Sequence, residues 1–402
     1  MSGVISDNTV RSSGAVAPLS SATEDASNPA RDTNPTDGLG TKWVNTTSGQ
    51  IFICTDATTD ANVWVGQTGT SIVPRIVFMA GYSDMDNEHN FDAPGKVAFG
   101  SYANPTTTGN FVDFGNLVAA NQYGTATSNG VNDRGVFGGG CTAANCPTNE
   151  VQYITITSTG NAIDYADLTA ARTYAGACSN GTNDRGVWAG GGEAGTDVKS
   201  NIIDYITIST GGTATDQGNL VTPRDYTGSL SNGTNDRGIN AAGRAGAGNT
   251  HQNEIDYWTI SSGGNASDFG NLTNTRLAPG TCSNDTNERG LFMCGTYGGS
   301  YGDEIDYITI NSTGNASDFG DMDGADPAGY PTANGARGHT AGCSSGTGER
   351  GFNGGGYTNI SGTQSWYEDV SYVTISTTGN GTFFGNLTER VYGPFACSNT
   401  FG

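Results

Sequence analysis

A unit of about fifty residues recurs six times between residues 75 and 402, and this repeat constrains the fold more than any other feature of the chain. A clear copy begins with RGVWAGG at residue 185, continues with IIDYITI and TATDQGNL, and ends with RDYTGSLSNGTND before RG begins again. Alternating apolar and polar residues separated by Gly, Asn and Asp predict short strands joined by tight turns. No part of the unit has the period of an amphipathic helix.

Each copy contains four strand signals, which we call strands A to D. One set comprises strand A at 174–180, strand B at 185–191, strand C at 202–208 and strand D at 213–220. Strand A consists of Ala, Gly, Ser, Thr and Cys, as expected where several sheets converge on a narrow channel, so it is predicted to be innermost. A repeat of this length built only from strands is typical of β-propeller blades.

The two ends of the repeat region predict that the sheets close into a ring. The region opens at Arg75 with a B strand, RIVFMAGY, and finishes at Ser398 and Asn399 with an A strand. One blade must therefore be completed by both ends, which pairs two otherwise exposed sheet edges. The predicted fold is all-β, with a six-bladed β-propeller over residues 75–402 and split-blade closure.

The pattern resembles the kelch family, in which an Arg precedes a strand that ends in a glycine pair, followed by a V/I-x-Y strand and a short D strand. The resemblance covers residues 75–402 and implies the fold, but kelch-like propellers serve as binding modules, enzymes and structural proteins alike. Two features depart from the family. A DFG-like segment replaces the family's Trp in strand D, and the glycine pair weakens to Ala242-Gly243 and Cys294-Gly295.

Composition excludes two classes of partner. The chain has 17 Lys and Arg against 39 Asp and Glu, a formal net charge of −22, so nucleic acid and anionic membranes are unfavourable partners. No apolar run approaches the length of a membrane span, which predicts no membrane insertion. The first residues, MSGVISDNTVRSSG, lack the basic and apolar regions of a secretory signal.

Arginines recur in register within the repeats. One set precedes a glycine and comprises Arg134, Arg185, Arg237, Arg289 and Arg350, while Arg75 opens the weaker first copy, RIVFMAGY. A second set precedes strand A and comprises Arg172, Arg224, Arg276, Arg337 and Arg390. They could form a ring of anion-binding sites, or they could tie neighbouring strands and blades through carboxylates and backbone carbonyls. We favour the structural interpretation because sites are usually asymmetric, whereas these residues recur in nearly every copy.

Signals for catalysis are sparse, and the chain is predicted not to be an enzyme. Three histidines, at scattered positions 89, 251 and 339, are too few for the copper site of kelch-like oxidases or for a histidine-based triad. Four cysteines, at 178, 282, 343 and 397, share one position in strand A and are predicted to be small buried residues. Cys141 and Cys146, in CTAANC, could close a local disulfide loop.

One acidic loop in the first copy has spacing that could wrap a calcium ion with oxygen ligands. The loop YSDMDNEHNFDAPG carries Asp84, Asp86, Glu88 and Asp92. It lacks the mid-loop Gly and the final Glu of an EF-hand, and the alternative is a solvated acidic loop. No other cofactor is predicted.

Two different stretches precede the repeats. Residues 1–36 contain too few apolar side chains to fold alone, which predicts a flexible arm. Residues 37–74 form a small β module and linker, with strands TKWVNTT, QIFICTD and NVWVGQ around Trp43, Phe52 and Trp64. This GTxWxNTxxGQxxICTD…NVWV pattern resembles small modules near the N termini of bacteriophage tail and fibre proteins. The resemblance implies attachment to a particle or oligomerisation.

Together, the two resemblances lead to the hypothesis of a virion protein: a tail fibre or similar appendage that docks on other virion proteins through residues 1–67 and contacts the host surface or a glycan through propeller loops. The alternatives are a purely structural or decoration protein, or a bacterial glycan-binding protein or glycosidase. The loops between strands B and C differ in every copy, as binding loops do. Their aromatic residues are the candidate ligand contacts: Tyr297, Tyr301, Tyr357, Trp366 and Tyr367.

Overall fold

The fold is all-β throughout the residues that the computed structural model describes. These are residues 22–26, 29, 33–45, 51–60, 62–67, 74–83, 95–192, 198–298, 300–322, 335–360 and 363–400. The chain divides into two compact units, Met1–Ile72 and Val73–Gly402. Within the ranges above, no helix is long and apolar enough to cross a membrane.

The described residues of the first unit form one four-stranded sheet. Its strands, in hydrogen-bonding order, are Thr23–Asp25, Lys42–Asn45, Ile51–Asp56 and Val63–Gln67. The last three match the strands predicted from the sequence. The first lies in the segment predicted to be a flexible arm, and it pairs in parallel with Lys42–Asn45. The side chain of Trp64 lies outside what the structure describes.

The second unit contains six antiparallel sheets, each built on four strands in the predicted order A, B, C, D. Sheet 1 comprises Phe395–Ser398, Ile76–Ser83, Gly95–Ala103 and Val112–Gln122. Sheet 2 comprises Thr125–Ser128, Arg134–Gly138, Glu150–Thr155 and Ile163–Asp167. Sheet 3 comprises Gly176–Ser179, Arg185–Ala189, Ile202–Thr207 and Thr215–Asn219. Sheet 4 comprises Gly228–Ser231, Arg237–Ala241, Thr250–Thr259 and Ser267–Arg276. Sheet 5 comprises Gly280–Ser283, Arg289–Tyr297, Ser300–Thr309 and Ser317–Asp321. Sheet 6 comprises Ala341–Ser344, Arg350–Gly354, Asp369–Thr374 and Thr382–Asn386.

Shorter elements decorate this set. Two-residue strands are Cys141–Thr142, Gly212–Thr213, Arg224–Asp225 and Arg244–Ala245, and a separate hairpin joins Tyr357–Ile360 to Thr363–Trp366. Between strands A and B of sheets 2 to 6 lies one turn of 3-10 helix, at Gly130–Asn132, Gly181–Asn183, Gly233–Asn235, Asp285–Asn287 and Gly346–Gly348. The residue that ends each turn is an Asp or Glu in the left-handed conformation, with φ from 67° to 74°.

The A strands contact one another in an order that returns to its starting point. Each lies against the A strands of two other sheets, and sheet 6 is followed by sheet 1. Serine hydroxyls connect neighbours, since Ser179 Oγ donates to the Ser128 carbonyl at 2.6 Å and Ser128 Oγ donates to the Ser398 carbonyl at 2.6 Å. The pairing predicted between the last strand and the first sheet is present, with Phe395 opposite Met79 and Ser398 opposite Ile76.

The apolar core is divided into six clusters, one between each pair of successive sheets. The cluster between sheets 6 and 1 contains Ile76, Phe78 and Phe352, so these two sheets pack as the other pairs do. The four strand-A cysteines are buried and unbonded, as predicted. A Cβ at Gly135 would lie 2.7 Å from the sulfur of Cys397, which explains why a glycine follows the repeated arginine.

The outer D strands are covered by the turns of the next sheet. Gly160 N donates to Phe114 O at 2.8 Å, and Gly109 N donates to Phe384 O at 3.0 Å, which links sheet 6 to sheet 1 in the same way. A Cβ at Gly115 would lie 2.3 Å from the Gly160 carbonyl. The glycine of the DFG-like segment is therefore required because another backbone approaches it closely, and this contact protects a sheet edge from other chains.

Candidate ligand-binding surface

The residue that leads into strand A has a left-handed backbone in all six sheets. The six residues are Tyr123, Tyr174, Tyr226, Ala278, His339 and Gly393, with φ between 51° and 65°. The side chain at this position is tyrosine in three successive sheets and alanine, histidine or glycine in the other three. Five of these positions therefore carry an L-residue in a conformation that favours glycine.

Aromatic rings from these positions contact one another directly. Tyr174 stacks on Tyr226, with ring centroids 3.6 Å apart, and Tyr123 lies 4.3 Å from Tyr174. His339 contacts Tyr226 at 5.4 Å and Tyr392 at 5.1 Å. The hydroxyls of Tyr123 and Tyr392 form a hydrogen bond of 2.5 Å. We call Tyr123, Tyr174, Tyr226, His339 and Tyr392 the aromatic mouth.

The aromatic mouth stands at one end of a cavity of about 120 Å3. The cavity wall is formed by the A strands and reaches Thr127, Cys178, Leu230 and Cys282. Most of the wall consists of small residues, as predicted for strand A. The mouth is therefore the end at which large side chains gather around the space between the A strands.

Three of the candidate contact residues extend the mouth into a longer surface. Tyr357 contacts Tyr392 with ring centroids 5.6 Å apart, and it also contacts Tyr301 at 5.6 Å and Trp366 at 5.7 Å. All of these side chains are half-buried, so each keeps part of its surface accessible. We call Tyr301, Tyr357 and Trp366 the aromatic strip.

The other two candidate contact residues turn toward the interior. Tyr367 is 5% exposed, and its ring lies 5.5 Å from the Arg337 guanidinium. It follows the accessible Trp366 directly, and successive side chains of an extended chain point in opposite directions. Tyr297 covers Arg276 at 4.9 Å, and burial raises the pKa of its phenol. Both residues pack against buried arginines. Tyr367 is too inaccessible to be the ligand contact that was predicted.

Charges near the mouth are paired or suppressed. Arg244 lies over the Tyr226 ring at 4.4 Å and makes two hydrogen bonds to the Asp225 carboxylate, at 2.8 and 3.0 Å. His339 is half-buried, and protein surrounds its ring densely. Burial, followed by the charge of Arg244, lowers its pKa to about 4. The imidazole is consequently neutral at physiological pH.

The repeated arginines before glycine connect adjacent sheets. Each donates to a backbone carbonyl of the next sheet and stacks on a tyrosine of its own strand C; for Arg237 these partners are Ile310 O at 2.9 Å and the Tyr257 ring at 4.7 Å. The corresponding carbonyl acceptors are Ile208 and Ser209 for Arg134, Ile260 and Ser261 for Arg185, Ile375 and Ser376 for Arg289, and Pro105 for Arg350. No carboxylate pairs with these arginines among the described residues.

The arginines before strand A are buried beneath the mouth as ion pairs. Arg276 bonds to Asp306 at 2.9 Å, and both side chains are almost inaccessible. The same pairing joins Arg172 to Asp204, Arg224 to Asp256 and Arg337 to Asp369. Arg390 differs, because it is partly exposed and 3.9 Å from Glu368.

The opposite end of the A strands repeats one arrangement. Asn180 donates to Asp236 at 2.9 Å, and Asn232 donates to Glu288 at 2.9 Å, so each sheet bonds to the next. The exception is Asp285, which replaces the glycine of the other turns and is buried. Burial, with the nearby Glu288 as a smaller cause, raises the pKa of Asp285 to about 6 against a hydrogen bond from the Thr286 N–H.

The remaining predicted sites have different outcomes. The structure joins Cys141 to Cys146 by a disulfide. Asp84, Asp86, Glu88 and Asp92 lie outside the described residues, and calcium binding there stays a prediction. In the part of the chain that the structure does describe, no group of three or more His, Cys, Asp or Glu side chains could hold a metal ion.

Sequence analysis did not select the five residues of the aromatic mouth. A signal was present, because Tyr174 and Tyr226 stand two residues after the repeated arginines, and Tyr123 and His339 occupy the same register. Comparing the copies at this one position would have shown bulky residues at a site that another copy fills with Gly393. No known family model matches the chain, and no curated protein is detectably similar to it.

Proposed function

We propose that this chain is a bacteriophage virion protein, a tail fibre or similar appendage, whose second unit is a six-bladed kelch-like β-propeller that attaches to a host-surface glycan. The propeller assignment is supported by the six repeated sheets, the six core clusters and the cyclic order of A-strand contacts. The virion assignment is supported by the resemblance of residues 37–67 to modules of phage tail proteins.

The observation that carries the attachment hypothesis is the continuity of the aromatic surface. Residues from all six sheets, or from the segments that lead into them, contribute to it, and they are not the same residue in every sheet. Tyr357 is its centre, because it contacts Tyr392, Tyr301 and Trp366. A scaffold formed by repetition does not require such a surface, whereas sugar rings stack readily on accessible aromatic faces.

The chemistry of the surface favours a glycan over a charged partner. The chain carries a formal charge of −22, which repels anionic polymers. The one arginine stacked on the mouth is neutralised by Asp225. Half-buried aromatic groups with polar edges suit a ligand that has apolar ring faces and many hydroxyls.

The attachment hypothesis is tested with an array of bacterial surface polysaccharides. The full chain is expected to bind at least one polysaccharide, and a Tyr357→Ala/Trp366→Ala variant is expected to lose most of this binding without a change in melting temperature beyond a few degrees. Phe383→Ala is the matched control, since it truncates an aromatic side chain in the D strand of sheet 6, outside the hairpin that carries Tyr357 and Trp366. Equal binding by the double variant and the wild type would reject the strip as the contact.

The virion assignment needs a separate measurement. Antibodies raised against the chain are expected to label purified phage particles, and a chain lacking residues 1–67 is expected to be absent from them. Labelled particles combined with no glycan binding would identify a decoration protein instead. Incorporation of the shortened chain would reject docking through residues 1–67.

A further inference from the structure

The backbone of four residues of the aromatic mouth has a positive φ, which L-residues rarely adopt. A left-handed conformation is unfavourable for an L-residue, and glycine removes most of this cost. Nevertheless, only Gly393 among the six equivalent residues is glycine, while Tyr123, Tyr174, Tyr226 and His339 are bulky. Strained backbone of this kind concentrates at ligand-binding positions.

Two phenols on this surface are hydrogen-bonded to each other, because the Tyr392 hydroxyl donates to the Tyr123 hydroxyl. In a pair of phenols, one hydroxyl donates and the other accepts, so the hydrogen of the accepting hydroxyl is not used within the pair. Tyr123 is the acceptor of this bond, so the hydrogen of its own hydroxyl remains available to an acceptor-rich ligand.

His339 supplies both kinds of hydrogen-bonding group. Its imidazole is neutral at physiological pH, so one ring nitrogen donates and the other accepts. Neither nitrogen has a hydrogen-bond partner among the side chains and backbone that the structure describes, although the ring itself is packed between Tyr226 and Tyr392. The ring is therefore positioned by stacking, while its polar atoms remain free to bind a ligand.

The size of the cavity limits what can enter. Its volume of about 120 Å3 is well below the roughly 300 Å3 of pockets that enclose a whole drug-sized ligand. A sugar ring would consequently lie across the mouth, with one substituent directed into the space between the A strands. The paired Arg244 and Asp225 leave no uncompensated charge beside Tyr226, which favours an uncharged ring.

We infer that the aromatic mouth is a subsite for one uncharged terminal sugar residue of the glycan. This inference rests on the proposed attachment function and deepens it, because the strip of Tyr301, Tyr357 and Trp366 would contact the adjoining sugars. Tyr226 and His339 define the subsite: the tyrosine provides ring edge and hydroxyl, and the imidazole provides one donor and one acceptor to neighbouring sugar hydroxyls.

The test uses the full chain and four free monosaccharides: galactose, glucose, mannose and N-acetylglucosamine. Titration followed by ligand-observed NMR is expected to show millimolar binding of at least one of them. His339→Phe, which keeps an aromatic ring but removes both nitrogens, is expected to weaken that binding at least tenfold. Tyr226→Phe is expected to weaken it at least threefold. The matched control is Tyr205→Phe, which removes a phenol hydroxyl from a ring that stacks under Arg185 outside the mouth.

Melting temperatures separate binding effects from folding effects, and all three variants are expected to melt within a few degrees of the wild type. If none of the four sugars binds the wild type, or if His339→Phe binds as tightly, the subsite is rejected. If polysaccharide binding depends on Tyr357 and Trp366 but not on the aromatic mouth, the attachment function is supported and the subsite is rejected. Absence of polysaccharide binding as well would reject both.

Discussion

The two ends of the A strands are built by opposite rules. At one end, the same Asn, acidic residue and arginine recur from sheet to sheet, and each bonds to a neighbouring sheet. At the other end, the equivalent residues are three tyrosines, an alanine, a histidine and a glycine. Side chains that hold sheets together can be identical in every sheet, whereas a single ligand contacts each sheet differently. The comparison indicates scaffolding at the first end and supports the proposed recognition at the second.

The largest effect is expected from a deletion that disrupts both ends of the A strands. Deletion of residues 391–402 removes the strand Phe395–Ser398 and leaves one edge of Ile76–Ser83 unpaired. The exposed edges should aggregate, so we expect insoluble protein or loss of cooperative thermal unfolding. Deletion of residues 401 and 402 alone is the control and should leave the melting curve unchanged. A soluble product of the longer deletion that melts normally would contradict the closure.

A smaller effect is expected from the buried ion pairs beneath the mouth. Arg276→Ala leaves the inaccessible Asp306 carboxylate without its cation, which should lower the free energy of unfolding by about 3–5 kcal/mol. Arg276→Met combined with Asp306→Asn removes the uncompensated charge and should recover most of this loss. Chemical denaturation measures both variants. Similar instability of the single and double variants would show that packing, and not charge, dominates.

Asp285 offers a pH-dependent test at the repeated end, where it is the exception. Its pKa of about 6 in the folded chain exceeds the value near 3.9 expected when unfolded, so the native state binds the proton more tightly. The resulting cost is absent below about pH 4, grows as the pH rises to about 6, and is complete above it. Asp285→Asn should therefore stabilise the fold by up to about 3 kcal/mol at pH 7.5 and by little at pH 4.

The comparison for this variant is Asp268→Asn, because Asp268 is exposed. That substitution should change the unfolding free energy by less than about 0.5 kcal/mol at either pH. A gain for Asp285→Asn that is equal at pH 4 and pH 7.5 would mean that backbone preference, and not the buried charge, is responsible.

The smallest expected effect distinguishes scaffold arginines from binding residues. Arg237→Ala removes a charge-assisted hydrogen bond to Ile310 O and the contact with the Tyr257 ring, at a cost of about 1–2 kcal/mol for this half-buried group. Glycan binding by the folded variant should equal that of the wild type. Loss of glycan binding with unchanged stability would show that Arg237 contacts the ligand. The two ends of the A strands would then no longer differ in function.

Much of the sheet architecture could be predicted from residue patterns because the relevant physics is local. Alternation in IIDYITI predicts strand C, which the structure places at Ile202–Thr207, and the SNGTND turns supply residues that accept positive φ. The small residues of strand A correctly indicate close approach of the sheets. The strand Thr23–Asp25 was missed because its three polar residues carry no pattern and its position depends on an available sheet edge.

The aromatic mouth could not be predicted in the same way because its contacts depend on closure. Tyr123 and Tyr392 are 269 residues apart, and nothing near either residue shows that their hydroxyls meet. Tyr367 illustrates the same limit on a shorter scale. Its neighbour Trp366 is accessible while Tyr367 is 5% exposed, and the orientation of this pair follows from how the hairpin is attached to sheet 6.

The pairing of the last strand with Ile76–Ser83 in sheet 1 also constrains when the fold can be completed during synthesis. Arg75 N donates to the side chain of Asn399 across 324 residues, so a ribosome must translate the other five sheets before this bond can form. Until then, Ile76–Ser83 presents an open edge to every other nascent chain nearby. The pairing of Phe395–Ser398 with Ile76–Ser83 is a contact of very long range, and such contacts form slowly. Dilution, chaperone binding or rapid assembly would therefore affect the yield of native protein most at this late step.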